Sequence, residues 1–340
     1  MTAAALAAAV AAALWAAVIV LNPGVMRCFR REVVISIAGD VLLDRKVGET
    51  MREYGEFYPF QAISDLFGND DITIANLECP LTAAGGTAMK GKQFVFKADP
   101  GSAAVLKQAG FDALMLANNH TMDYLSAGLS DTMDALSEAG ILYAGAGEND
   151  YDGKPCFIEK NGVRIGILAY SSLPPEGFMH DSGSATIMYA RAGFLDDMKK
   201  EVSEAARRCD FLIVYFHWGT EFRHDASDSQ VEIARAAADS GARAVFGTHP
   251  HVLQGREVYN GVPIYYSVGN FVFDKQIPEG TDESLIVRLS VNKSGIVSLE
   301  ELPVVIENCR PALAEGEKAA KIRSDLARYS RRFGEFSFGK

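Results

Sequence analysis

Phe246–Gln254 reads FGTHPHVLQ and follows the apolar run ARAVF; it places two of the chain's six histidines one residue apart around a proline. A short β-branched run that ends abruptly in metal-ligating or acid-base side chains has the pattern of a buried parallel strand at its carboxyl end. That is where open α/β sheets gather their ligands. Four further runs end in the same way. VVISIAGD (Val33 to Asp40), DITIANLE (Asp71 to Glu78), DALMLANNH (Asp112 to His120) and DFLIVYFHWG (Asp210 to Gly219) each read as a strand handing over to a polar loop.

Between these runs the spacing turns helical. PFQAISDLF and SAAVLKQAG separate the first strands, a helix is expected over Leu125–Ala139, and others around Arg191–Arg208 and in SQVEIARAAADSG. Strands alternating with helices imply βαβ units and largely parallel sheets. Asn161-Gly162 and Asn260-Gly261 each sit between two strand-like runs, the signature of tight hairpins. The expected fold class is therefore α/β, with two packed sheets and helices outside them. After Pro311, Ile322, Leu326, Tyr329 and Phe333 recur at helical spacing, so residues 311–340 read as a helical tail that docks on the domain.

Composition removes several function classes. The net charge of −11 offers no basic footprint for a phosphate backbone, so no nucleic-acid partner is expected. The five cysteines are irregularly spaced with no CxxC pair, which excludes a disulfide framework and a thiolate zinc site. From Ala3 to Leu21 no residue is charged. A run of that length matches the roughly 20 residues of a membrane-spanning helix, closed by Asn22 and Pro23. Leu6, Val10, Leu14, Trp15 and Val18–Leu21 supply its apolar surface. No basic segment precedes it and no small-x-small site follows, so an uncleaved anchor is expected rather than a signal peptide. Residues 1–31 are read as anchor and linker, and 32–310 as the globular domain. Arg27, Arg30 and Arg31 behind the span would, by charge alone, hold that domain on the cytoplasmic side.

The strand ends, taken in order, supply Asp40, Glu78, Asn119 with His120, His217, and His249 with His251. Singly, each has an ordinary explanation: Gly-Asp as turn chemistry, Glu78 as a solvated carboxylate, Asn-Asn-His as a helix cap, His217 as a packed ring. Together they form a candidate metal centre. Imidazoles mixed with carboxylates and an amide oxygen suit manganese, zinc or iron, and one carboxylate able to bridge is sufficient for two ions. His180 and His224 fall outside the strand ends and read as surface or loop residues. Tyr266, Ser267 and Asn270 of YSVGNFVFD are open to two readings, pocket lining or a strand followed by a Gly-Asn turn.

AGDVLLDR, ANLECPLT, ANNHTMDY, YFHWGTEF, GTHPHVLQG and YSVGNFVFD, in this order across Ala38 to Asp274, resemble the CapA/PgsA family of poly-γ-glutamate capsule biosynthesis proteins. That family is similar to the calcineurin-like metallophosphoesterases. The resemblance implies a four-layer αββα sandwich with a dinuclear centre at the strand ends. It implies Asp40 as the aspartate at the first strand end, Glu78 as the bridge, Asn119 as a ligand, His217 and His249 as ligands of the second ion and His251 as a ligand of the first. His120 would be the acid that protonates the leaving group. The wider superfamily has Asp-x-His at the first strand, where this chain has Leu42, so the first ion is one ligand short. The resemblance further implies membrane-bound poly-γ-glutamate synthetase partners, an anionic polymer or phosphorylated substrate, and a single-pass membrane protein with its domain outside the cell. Two alternatives stay open: a metal-dependent hydrolase acting on a cell-envelope metabolite unrelated to capsule, and a non-catalytic assembly factor.

Overall fold

The computed structural model describes residues 31–84, 91–149, 155–174, 184–189, 194–274 and 277–338. The expected span Ala3–Leu21 and His180 lie outside these residues. Among the described residues no helix is long and apolar enough to cross a membrane.

In chain order the strands are β1 Val33–Val41, β2 Ile72–Leu77, β3 Ala113–Met115, β4 Leu142–Ala144, β5 Ala146–Gly147, β6 Cys156–Lys160, β7 Val163–Ser171 and β8 Thr186–Ile187. They continue with β9 Phe211–His217, β10 Ala244–Thr248, β11 Arg256–Tyr259, β12 Val262–Tyr265, β13 Asn270–Val272, β14 Glu283–Asn292, β15 Gly295–Glu307 and β16 Arg310–Leu313. The helices are α1 Arg45–Tyr54, α2 Ser64–Gly68, α3 Ser102–Gln108, α4 Leu125–Glu138, α5 Phe194–Ala206, α6 Asp228–Asp239 and α7 Gly316–Tyr329.

One sheet runs β16-β15-β14-β1-β2-β3-β4, with β13 also pairing β1; the other runs β11-β12-β10-β9-β7-β6. β1 to β4 are parallel, as are β7, β9, β10 and β12. The two Asn-Gly hairpins form as expected, β6 with β7 and β11 with β12, each placing an antiparallel strand on one edge of the second sheet. Ile35, Ile37, Ile74 and Met115 of the first sheet share one apolar cluster with Ile165, Ile167, Phe211 and Ile213 of the second. The first sheet's alternate side chains, such as Ala75, Leu77 and Leu114, join a second cluster with Val47, Leu106, Leu129 and Met133 from its helices. Strands buried on both faces must be apolar throughout, which is why these runs read as continuous rather than alternating.

Two local expectations are corrected. PFQAISDLF is not one helix but a 3-10 turn, Tyr58–Phe60, followed by the five-residue α2. Pro59 lies in the first turn of the former, and Ile63, at φ −124°, interrupts the helix before Ser64. The third strand ends at Met115 rather than continuing to His120. The Asn118 side chain diverts it, because its Oδ1 accepts from the backbone N–H groups of His120 and Thr121 at 3.0 and 2.8 Å. The tail is anchored: β16 pairs with β15, and Ile322 and Leu326 of α7 are buried in the main cluster.

Candidate metal centre

All five strand ends converge at the carboxyl edge of the two sheets. Asp40 lies at the end of β1 opposite Asn76 of β2 and Asn270 of β13, and Glu78 follows β2. His217 ends β9 in register with Thr248, which ends β10 and immediately precedes His249. The close approach of chains here explains two glycines. A Cβ at Gly39 would collide with the backbone of Gly269, and one at Gly247 with the Trp218 indole and the Tyr266 carbonyl. Trp218 Nε1 donates to that carbonyl at 2.8 Å, so the glycine of FGTHPH is the space into which the indole packs.

Glu78 is fully buried, and among the described residues neither of its carboxylate oxygens has a hydrogen-bond partner. Its Oε1 lies 3.7 Å from His217 Nε2 and 3.8 Å from His251 Nε2. His249 Nδ1 is likewise buried without a partner. An isolated buried carboxylate costs several kcal/mol unless a cation or a proton meets it. Glu78, His249 and His251 present donor atoms that all lie within 4.8 Å of one another, a set that could hold a metal ion. Asp40 contributes from the side: its Oδ1 accepts from Asn76 Nδ2 at 2.7 Å and its Oδ2 from the His249 N–H at 3.2 Å. Its two oxygens also lie 3.8 Å from His217 Nδ1 and His251 Nδ1. Asn119 Oδ1 accepts from His217 Nε2 at 2.8 Å, which ties these two side chains together at the centre.

Burial sets the proton balance of this cage. It pushes Asp40 up to about 7, against the hydrogen bonds from Asn76 and His249. Glu78 is raised well above the carboxylate range by burial first and the Asp40 charge second. Burial and the neighbouring imidazoles push His217 and His249 well down. His251 falls to about 4 through burial, opposed by its hydrogen bond to Asn270 and assisted by the charges of His120 and Arg45. The imidazoles are thus already in the neutral form a divalent cation requires, whereas the raised carboxyl groups of Asp40 and Glu78 must give up their protons to bind one.

Second partners orient the rings. Asn270 Nδ2 donates to the carbonyls of His251 and Thr281, so its Oδ1 faces His251 Nδ1 at 2.8 Å. That fixes the proton on Nδ1 and leaves Nε2 as the donor atom toward Glu78. His217 Nδ1 sits 3.1 Å from Thr248 Oγ1, which turns Nε2 toward Asn119 and Glu78. His249 and His251 have φ of 91° and 58°, backbone strain of about 1–3 kcal/mol each that is typical of functional sites.

A family model described as bacterial capsule synthesis protein PGA_cap matches residues 34–275. The chain belongs to this family. It is 33% identical over 279 residues to the PGA biosynthesis protein CapA of Bacillus subtilis, covering 82% of this chain and 72% of that one. It is 32% identical over 287 residues to the capsule biosynthesis protein CapA of Bacillus anthracis, with 82% and 69% covered. A probable polyglutamine synthesis accessory protein of Mycobacterium tuberculosis is 29% identical over 280 residues, with 78% and 73% covered. Among solved structures, a hypothetical protein from Thermus thermophilus shares the fold, with a TM-score of 0.50 at 17% identity over 79% of this chain and 98% of that one. The architecture is mixed α/β with several sheets.

Within this PGA_cap domain, every residue singled out at a strand end reaches the centre or its rim. His120 stands at the rim: its Nδ1 lies 2.9 Å from Asp123 Oδ2 and its ring packs on Phe96 at 4.3 Å between centroids. Leu42 is buried in the apolar cluster on the helix side of its sheet and brings no donor to the centre. His224 lies elsewhere, bonded to the Leu253 carbonyl and stacked on Tyr329. Of YSVGNFVFD, Asn270 belongs to the centre, whereas Tyr266 bonds Glu257 and Ser267 bonds the Val252 carbonyl. Sequence reasoning did not single out Asn76, Asn118, Asp123 or Lys92. Asp123 lies three residues after His120, and Asn76 lies two residues before Glu78, on the strand that Glu78 follows; those intervals were the available signals. Lys92 is buried and ion-paired with Asp123 at 2.6 Å, and it also bonds the Asn119 carbonyl.

Proposed function

We propose that the chain is a membrane-anchored accessory protein of poly-γ-glutamate capsule synthesis, and that its domain is a four-layer, metallophosphoesterase-type sandwich with a dinuclear centre of hydrolytic chemistry. The observation that carries the metal centre is Glu78: a fully buried carboxylate with no hydrogen-bond partner, facing imidazoles in their neutral form. In this reading Asp40 and His251 would serve a first ion and His217 and His249 a second, with Glu78 and Asn119 completing the set that would hold them. When bound, two such ions supply Lewis acidity and a nucleophile from water at neutral pH. The protein's own residues do the rest. Asn270 and Thr248 hold His251 and His217 by their Nδ1 atoms, and Asp123 holds His120 by Nδ1, so that Nε2 of His120 can give a proton to a leaving oxygen. The absence of a ligand at Leu42 makes the first ion the more weakly held.

Membership of a capsule-synthesis family supports the biological setting, with membrane-bound synthetase components as partners and an anionic polymer or phosphorylated compound as substrate. The uncharged run Ala3–Leu21 supports anchoring; the family resemblance supports a domain outside the cell, against the charge of Arg27, Arg30 and Arg31. The chemistry is tested by loading the purified chain with manganese or zinc and assaying phosphate ester hydrolysis. His217→Ala and His249→Ala are expected to abolish turnover, and His120→Gln to lower it about 10²–10⁴-fold with metal retained. Full activity in both histidine-to-alanine variants contradicts the assigned roles. Deleting the gene in its host is expected to remove the polymer, with rescue by the wild-type gene and not by a Glu78→Gln copy.

A further inference from the structure

One wall of the centre is built by the turn Asp44-Arg45 and the segment 92–97. Asp44 joins the two: its Oδ1 accepts from the Arg45 N–H at 2.7 Å and its Oδ2 from the Lys97 N–H at 2.8 Å. Arg45 has φ 53°, the left-handed region that a bulky side chain avoids, so this turn holds it in a strained conformation at the start of α1. Its guanidinium is ion-paired with Asp274 at 2.8 Å and lies over the Phe96 ring, with Cζ 5.8 Å from the centroid. Those two neighbours lead to the two sides of the centre. The Phe96 ring is 4.3 Å from that of His120, and Phe273, which precedes Asp274, has its ring 5.0 Å from that of His251.

Among the described residues Asp274 is the one polar partner of the Arg45 side chain, which is 35% exposed. A guanidinium carries five N–H donors in a planar fork, so most of them remain for a ligand. The two lysines of this wall differ. The Lys92 ammonium is buried and spent on Asp123 and the Asn119 carbonyl. Lys97 is engaged with the Ala84 carbonyl at 3.0 Å and lies over the Tyr124 ring. The protein as a whole carries a charge of −11, so an anion approaching the centre needs a local cation, and among the described residues of this wall the accessible one is Arg45.

We propose that Arg45 binds an oxyanion of the substrate, a phosphoryl or carboxylate group, at the mouth of the centre, with Asp274 and Phe96 holding its fork in place. This rests on the metal-centre reading for what lies beyond Arg45. A planar fork matches both oxyanions through paired hydrogen bonds, which a lysine cannot reproduce. The strain at φ 53° provides a control: Arg45→Gly removes the guanidinium and suits that backbone conformation, so loss of binding there is not a folding defect.

The experiment is calorimetric titration of the manganese-loaded full chain with inorganic phosphate and, separately, with glutarate, alongside Arg45→Gly, Arg45→Gln and Arg45→Lys, with metal content measured for each. Arg45→Gly and Arg45→Gln are expected to weaken the bound anion about 10-fold or more at unchanged metal content, and Arg45→Lys to recover only part. Loss confined to phosphate identifies a phosphoryl group, and loss confined to glutarate a carboxylate. Wild-type affinity for both anions in the glycine and glutamine variants, or no binding of either by the loaded wild type, overturns the proposal. Should the chain take up no metal yet bind either anion through Arg45, the metal-centre reading fails and the Arg45 site stands.

Discussion

Replacing Glu78 by glutamine tests the electrostatic core of this account, because it removes the ionisable group and almost no volume. In metal-free protein the folded state keeps Glu78 protonated, since burial and the Asp40 charge raise its pKa well above 4.5. The unfolded chain releases that proton above 4.5. A group raised in this way contributes its stability fully below the unfolded value and loses it as pH rises toward the folded one. Each pH unit between the two is about 1.4 kcal/mol. At pH 8 the wild type therefore carries a penalty that cannot exceed about 5 kcal/mol, because at most the carboxyl keeps its proton throughout. The glutamine variant leaves a buried amide unpaired at every pH, much as the protonated acid is. In EDTA, Glu78→Gln is thus expected to be more stable than wild type by up to about 5 kcal/mol at pH 8 and equal to it near pH 4.5. Urea denaturation followed by Trp218 emission measures both. Saturating manganese at about 100 times its Kd stabilises the wild type by about 2.7 kcal/mol and closes part of the gap. A variant less stable than wild type in EDTA at pH 8, or a gap indifferent to pH, refutes the reasoning.

Three further outcomes are expected. Asn270→Leu frees the His251 ring and should lower metal affinity about 10- to 100-fold in a chelator competition, with the fold intact; unchanged affinity would dismiss the tautomer argument. Metal affinity should climb with pH through about 7, where Asp40 loses its proton, whereas His251, at about 4, contributes nothing to that rise. Titrations in buffers of different ionisation enthalpy should detect proton release on binding at about pH 6, and its absence would count against the raised carboxyl groups. Gly247→Ala drives a methyl group into Trp218 and Tyr266 and should cost about 1–3 kcal/mol in thermal denaturation; a neutral result would show that the indole can move aside.

The strand ends were readable because burial on both faces forces an uninterrupted apolar run, and the first polar residue after it is conspicuous. That logic located Asp40, Glu78, His217, His249 and His251, and the structure brings them to one edge. Asn119 and His120 stand at the same edge although their strand ends earlier than expected, since the loop between is organised by the Asn118 side chain rather than by the sheet. The supporting residues left weaker traces. Asn270 supports His251 from 19 positions away, and Lys92 reaches His120 from 28 positions earlier. No periodicity records a contact of that kind, because it depends on which loops the two sheets bring face to face. The short helix after Pro59 was misread because apolar spacing alone does not report the chain's turn at Ile63.

The most direct test of the central claim is metal analysis of the protein purified without chelator and then incubated with manganese or zinc, beside the same protein carrying His249→Ala. The account predicts about two equivalents in the wild type, as a two-metal centre requires, with the first ion the easier to remove, and a sharp loss in the variant. A folded wild-type protein that takes up no metal under these conditions would contradict it.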